Sequence, residues 1–363
     1  MTEGLEIRPV RGMGDIVPGD DLAGLIAAAA PWLADGDVLV VTSKIISKAE
    51  GRLVEVPADG PGREAARAEV LVRETARVVA RRGPTTIVQT HHGFVMAAAG
   101  IDASNVDKTH LVLLPADPDA SARRLRADFR ARGLDVGVVV SDTMGRAWRN
   151  GQIDVALGAA GVEPLRDHRG EIDPYGNELQ ITQMAVIDEL AAAGELVKGK
   201  CDQVPVAVVR GYLRPATSAG PGDTPGESEP GAAALLRDAA SDMFSLGTAE
   251  ARAAGLRQAA TLTDDGRAAL PGLPVDPAAV ERALTTVAEH LSHLTMITPA
   301  EVFPPSPATA ALHLQVRSGA AEALMRLGAD AHRVRAALAA EGIATLALPH
   351  DEGIRLELSG VAS

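Results

Sequence analysis

Through the first two-thirds of the chain, short runs of branched apolar residues alternate with stretches whose apolar positions recur at helical spacing. Val38–Val41, Ile87–Val88, Leu111–Leu114, Val136–Val140 and Val204–Val209 predict buried strands, because runs rich in β-branched residues and bounded by turn residues suit a sheet covered on both faces. Arg63–Arg82 carries apolar residues at helical spacing with charges between them and predicts one surface helix. Pro118 after Asp117 has the arrangement of a first helical residue behind its cap, opening a helix that runs to about Arg132. Thr182–Val197 predicts a third helix, with Asp188 and Glu189 on its polar face. Such alternation implies a mixed α/β fold and leaves the order of the strands open.

The pattern then breaks. Pro215–Gly231 is a tract of Pro, Gly, Ser and Glu with too little apolar surface to order itself, and it predicts a linker or exposed loop. Beyond it, Ala, Leu and Arg dominate, with helices predicted over Ala278–His290 and Ala320–Ala340 and one strand over His350–Leu358. The expected division is 1–214, a linker over 215–231, and a mostly helical extension over 232–363. No repeat of fixed period is present.

Composition narrows the chemistry. The 363 residues carry a formal net charge of −13 and only 2% aromatics. A general nucleic-acid binder would need a basic surface and stacking platforms, so no such partner is expected. The single cysteine, Cys201, excludes an intrachain disulfide framework and an all-cysteine metal cluster. The N-terminus lacks a basic and then apolar leader pattern, and the longest aliphatic stretch, around Ala23–Ala34, is short and holds Pro31. A soluble cytoplasmic enzyme acting on small molecules, away from membranes, is the expectation.

Four segments hold candidate chemistry. Val38–Arg52 delivers Thr42, Ser43, Lys44, Ser47 and Lys48 at the end of a strand, where hydroxyls and ammonium groups suit phosphate oxygens, or form a solvated turn. In His91–Asn105, the spacing of Asp102 and Asn105 suits an Asx-type turn, while the adjacent His91 and His92 would point to opposite faces of an extended chain and make a poor metal pair. Val136–Gly158 runs from an apolar strand into Ser141, Asp142 and Thr143, so Asp142 either caps a turn or sits where α/β proteins bind ligands and metals. Arg146, Arg149 and Asn150 follow in the expected loop, available to an anionic substrate. Gly194–Cys201 matches GxxxxGK but ends in Cys and lies after a helix, so it is not a P-loop.

Together MGDIVPGDDL, DVLVVTSKIISKAEGR, AGIDASNV, LLPADPDASA, SDTMGRAWRNGQIDVALG, DPYGNELQITQMAVIDELA and PVAVVRGY resemble the coenzyme F420:L-glutamate ligase family, in the family's order, from about Ile7 to Leu213. The resemblance implies a two-lobed ligase-type fold and GTP-dependent amide ligation, in which the terminal carboxylate of F420-0 is phosphorylated and the glutamate amine displaces phosphate. It further implies Asp102, Asp142 and Thr143 as metal ligands, and Met13, Gly14, Asp15, Ile16, Ser43, Lys48 and Asn105 as nucleotide contacts. The implied cofactors are Mg2+ or Mn2+, two divalent ions in all, with K+. GTP, F420-0 and L-glutamate are the implied small-molecule partners, and the chain is implied to work as a homodimer.

Two departures from the family pattern stand out. Lys200 occupies a position where some relatives carry an acid, which bears on the ligands of the second cation. Ser241–Gly255 resembles the start of the nitroreductase-like domain fused to many actinobacterial relatives, but the chain beyond Gly255 is short and lacks an Arg-rich flavin pattern, so no FMN is expected. Arg146, Arg149 and the Asp173–Asn177 loop are the candidates for the deazaflavin surface.

Overall fold

Three of the apolar runs meet in a single five-stranded sheet, which accounts for their unbroken aliphatic content. The computed structural model describes residues 4–104, 106–200, 202–213, 231–238, 242, 244–262, 270–302, 306–316, 319–350 and 353–361. The chain divides into two compact units, Met1–Gly247 and Thr248–Ser363. The tract over 215–231, apart from Gly231, lies outside the described residues, as do Asn105 and Cys201.

In the first unit the elements run β1 (Glu6–Val10), α1 (Leu22–Ala29), β2 (Val38–Thr42), α2 (Ser43–Ala49), β3 (Leu53–Glu55), α3 (Gly60–Arg73), β4 (Thr75–Arg82), β5 (Thr85–Thr90), β6 (Val95–Ala97) and β7 (His110–Val112). Next come α4 (Pro118–Ala131), β8 (Gly137–Arg146), β9 (Arg149–Ala160), β10 (Arg166–Asp167), β11 (Gln183–Met184), α5 (Val186–Lys198) and β12 (Val206–Arg210). The main sheet has the order β1-β12-β2-β8-β9, and only β2 and β8 run parallel within it.

Alternation along the strands sends side chains to two cores. Leu39, Val41, Val138, Val140, Val206 and Val208 pack under α1 and α4, with Phe129 of α4 fully buried. Val38, Val40, Val139, Ala207 and Val209 face α5 on the other side. Helix α4 begins as its sequence predicts, with Asp117 accepting from the Ala120 N–H at 2.8 Å and Pro118 in the first turn. A smaller core of Val56, Val70, Val88, Ala99, Ile101, Leu111 and Leu113 gathers around β3–β7 and β4-β5-β6.

Three expectations need correction. Arg63–Arg82 is not one helix: α3 stops at Arg73, and Thr75–Arg82 is β4, paired with β5 across a turn where Gly83 takes φ +55°. Its Val and Ala residues satisfy either period, and the pairing with β5 decides for strand. Helix α5 starts at Val186, not Thr182, and Asp188 is not on a purely polar face, since it accepts from the Ala156 N–H of β9 at 2.8 Å. Residues Ala232–Leu235 form a 3-10 turn whose Ala232 is buried against the α5 side of the first unit.

The second unit holds α6 (Thr248–Ala260), α7 (Pro277–Val287), β13 (Thr295–Ala300), β14 (Ala310–Val316), α8 (Ala321–Ala340), β15 (Ile343–His350) and β16 (Gly353–Gly360). The two helices predicted from period are present as α7 and α8. The single expected strand is instead part of a four-stranded antiparallel sheet, β13-β14-β16-β15, with Leu312, Leu314, Leu356 and Leu358 packed against Ala283, Leu327, Val334 and Leu338. Prolines, alanines and histidines within these strands disguise them.

Candidate active site

The parallel pairing of β2 with β8 puts Thr42 beside Ser141, so the next residues along, Ser43 and Asp142, emerge together. Asp142 continues the face of Val138 and Val140 and therefore lands at the margin of the core, half-buried. Ser43 Oγ donates to Asp142 Oδ2 at 3.1 Å, and the Thr143 N–H donates to Oδ1 at 2.7 Å. Asp142 has no ion pair among the described residues. Burial pushes its carboxyl up to about 6, the two hydrogen bonds pull it back, and the charges of Asp102 and Asp154 add to the rise.

Asp102 reaches the same place from another part of the fold. Its backbone is fixed by reciprocal hydrogen bonds with Val112 at 2.8 and 2.9 Å. Its carboxylate accepts from the Ser104 N–H at 2.6 Å and from Ser104 Oγ at 3.1 Å, the Asx-type turn suggested by the sequence. Lys44, the second residue of α2, pairs with Oδ2 at 2.6 Å and donates to Ser104 Oγ at 2.7 Å. Burial alone would raise Asp102, but Lys44 and Ser104 outweigh it and hold the carboxyl below its ordinary range.

The opposite face of the β8–β9 ribbon carries groups that the sequence pattern did not single out. Asp154 of β9 is 3% exposed and Lys198, at the end of α5, is 2% exposed. Lys198 Nζ lies 2.8 Å from Asp154 Oδ2 and 2.9 Å from Ser141 Oγ, which itself donates to the same carboxylate oxygen at 3.1 Å. Thr143 Oγ1 donates to Asp154 Oδ1 at 2.7 Å. Burial pushes Asp154 up, yet Lys198 and then Thr143 and Lys200 keep it below its ordinary value. An acid between Ile153 and Val155 was the available signal.

The other expected residues are more scattered. Met13 and Ile16 are buried in the core under α1 and α4, leaving Gly14 and Asp15 exposed between them. Lys48 is half-buried in the last turn of α2. Arg146 and Arg149 are not in a loop but end and begin the two strands of the β8–β9 hairpin, both exposed, with an Arg146 Nη2 hydrogen bond to the Asn150 carbonyl at 2.7 Å. At the tip Trp148, with φ +57°, sits edge-on to Phe244. Asp173 closes its own turn by accepting from the Tyr175 and Asn177 N–H groups at 2.9 and 2.8 Å. His91 and His92 each contact a backbone carbonyl, of Arg73 and Pro115, and do not face a common point.

The family described as F420-0:Gamma-glutamyl ligase matches residues 12–211. The chain belongs to that family. A coenzyme F420:L-glutamate ligase of Methanothermobacter thermautotrophicus is 40% identical over 226 residues, 58% of this chain and 90% of the relative. Ligases of the same name from Methanopyrus kandleri and Halobacterium salinarum are each 43% identical, over 224 and 221 residues, covering 88% and 85% of those relatives. In this F420-0:gamma-glutamyl ligase family member the match ends at Gly211, one residue past β12, so the family region lies within the first unit.

The fit of this member's residues to the implied cations is uneven. Among the described residues no group of three or more His, Cys, Asp or Glu side chains is arranged to hold a metal. Asp142, half-buried and without an ion pair among those residues, offers hard oxygen donors together with Asp102 and the hydroxyl of Ser43. That set fits one hard cation completed by phosphate and water. Thr143 does not fit a second, because its hydroxyl already donates to Asp154 and accepts from Lys200 Nζ at 2.8 Å.

Proposed function

We propose that the first unit joins L-glutamate to F420-0 by a GTP-dependent ligation through an acyl phosphate, as a step in coenzyme F420 biosynthesis. The observation that carries this reading is the half-buried Asp142 carboxylate, brought beside Asp102 without an ion pair of its own among the described residues. In the first step a carboxylate oxygen of F420-0 attacks the γ-phosphorus of GTP, and the bond to the GDP oxygen breaks. In the second the glutamate α-amine attacks the acyl carbon, phosphate leaves with the C–O electron pair, and the amine gives up a proton to become the amide nitrogen. Once a glutamate is attached, its γ-carboxylate is a chemically equivalent acceptor, so a second addition uses the same site.

Asp142 and Asp102 would hold Mg2+ or Mn2+, which supplies charge neutralisation to the transferring phosphoryl group. Ser43 orients the Asp142 carboxylate, and Lys44 with Ser104 orients that of Asp102. Ser43, Lys48, Asn105 and the Met13–Ile16 turn are the proposed nucleotide contacts, the last through its backbone and the exposed Asp15, given that Met13 and Ile16 are buried. Holding acyl phosphate and amine in one cleft supplies the orientation that a bimolecular encounter lacks. Potassium and assembly as a homodimer belong to the same reading through the family resemblance. No helix among the described residues is long and apolar enough to cross a membrane, in keeping with small soluble substrates.

The test is to incubate the full chain with F420-0, L-glutamate and Mn2+, with GTP or ATP in parallel, and to weigh the products. The expected outcome is addition of one or more glutamyl masses with GTP, accompanied by GDP and inorganic phosphate. Release of a nucleoside monophosphate would replace the acyl phosphate with an acyl adenylate-type route, and no adduct under any nucleotide would overturn the ligase reading.

A further inference from the structure

The GxxxxGK run, which is not a P-loop, has another use in the folded chain. Gly194 lets α5 lie against the sheet, since a Cβ there would come within 2.8 Å of Val40. Gly199, with φ +64°, ends the helix and turns the chain so that the lysines on either side of it approach one carboxylate. Lys198 goes inward and neutralises Asp154. Lys200 goes outward: its side chain is 61% exposed, and Nζ lies 2.8 Å from Thr143 Oγ1, 2.5 Å from Glu195 Oε1 and 3.7 Å from Asp154 Oδ1. Glu195 also reaches Lys198 at 3.4 Å.

An ammonium ringed by a hydroxyl and two carboxylates has the donor set of a small oxygen-liganded cation. We propose that Lys200 is a tethered cation standing where a second metal ion would otherwise sit beside Thr143, so that this chain binds one divalent ion per subunit. A free divalent ion at that point would meet two ammonium groups and a hydroxyl already committed to Asp154 and Lys200. The inference rests on the ligase reading for the place of the first ion, at Asp142 and Asp102.

The experiment is a Mn2+ titration of the full chain in the presence of GDP, read by electron paramagnetic resonance of free Mn2+ and corrected for Mn2+ bound to free GDP, with no F420-0 present. Wild type is expected to bind one Mn2+ per chain. Lys200→Glu, which restores an acid and removes the ammonium, is expected to bind two, and Lys200→Gln to take up the second ion more weakly. Two ions in wild type, or no gain in Lys200→Glu with its circular dichroism unchanged, would overturn the tethered cation and leave the ligase reading standing. No Mn2+ bound to either protein would remove both. A loss of GDP affinity in Lys200→Gln without any gain of Mn2+ would reassign Lys200 to phosphate and likewise overturn the proposal.

Discussion

The two faces of the β8–β9 ribbon hold aspartates that share a residue type and little else. On the α1–α4 side, Asp142 accepts hydrogen bonds from Ser43 Oγ and the Thr143 N–H, makes no ion pair among the described residues, and sits close to other negative charge. On the α5 side, Asp154 is more deeply buried yet surrounded by Lys198, Lys200, Ser141 and Thr143. Burial raises both, but only Asp142 stays raised; Asp154 is held low. Depth alone therefore does not set the state of a carboxylate. The partner set does: it neutralises Asp154 and leaves Asp142 without an ion pair among the described residues, the kind of imbalance that marks a candidate binding site.

The comparison breaks most visibly at Lys198. Lys198→Met would leave Asp154 buried without its main counter-charge, and removing one partner of a buried pair costs about 3–5 kcal/mol. Urea denaturation should show that loss, and adding Asp154→Asn should recover most of it. Equal stability of Lys198→Met and wild type would mean that Asp154 is neutralised from elsewhere.

Asp142→Asn should act with the opposite sign. The folded carboxyl titrates near 6 against an ordinary 3.8, so between those values the folded protein holds more protons than the unfolded chain. Stability from this group is complete below about 3.8 and falls as pH rises through 6. The gap corresponds to about 3 kcal/mol at neutral pH, which the neutral amide escapes. Metal-free Asp142→Asn should therefore unfold later than wild type at pH 7.5, with the difference closing by pH 4, while forming almost no glutamylated product. A variant less stable at pH 7.5 would show that the carboxylate is stabilising and undo the contrast.

Lys48→Ala tests the nucleotide side of the same face. Loss of a charge-assisted hydrogen bond to phosphate is worth ~1.5–3 kcal/mol, so calorimetry should find GTP binding weakened roughly 10- to 100-fold. Unchanged affinity would take Lys48 out of the nucleotide site. The smallest effect is expected at Lys200, whose exposed ion pairs should contribute at most about 1 kcal/mol to folding. Lys200→Gln should thus melt within a few degrees of wild type although it faces the same aspartate as Lys198.

Much of the fold was legible because β2, β8 and β12 of the main sheet are covered on both faces and read as unbroken aliphatic runs, whereas the mixed residues of β1 and β9 hid those strands. The α4 boundary was legible because Asp117 and Pro118 act locally. Where local signals were ambiguous, tertiary pairing decided: Thr75–Arg82 can coil or extend, and only β5 makes it a strand. At the site, Asp102 and Asp142 stood out in the family's segments. Asp154 and Lys198 did not, because an acid in a strand and a lysine at a helix end usually face water. Their partnership spans 44 positions and arises only when α5 folds over the sheet. The sheet of the second unit was largely missed for a different reason, since its alternation is diluted by Ala, Pro and His.

The strand order has a consequence for how the molecule comes into being. In the finished sheet β12 lies between β1 and β2, although it is the last strand of the family region to leave the ribosome. Synthesis at about 5–20 residues per second keeps β1 and the outer side of β2 without their shared neighbour for on the order of ten seconds or longer. Until Val206–Arg210 emerges, the nascent chain presents two open hydrogen-bonding edges, the situation in which chaperone capture or edge-to-edge misassembly competes with folding. Closure is a zipping of the middle rather than an addition at the rim, and a nascent chain arrested before Arg210 should be protease-sensitive even though most of the site's residues have already been made.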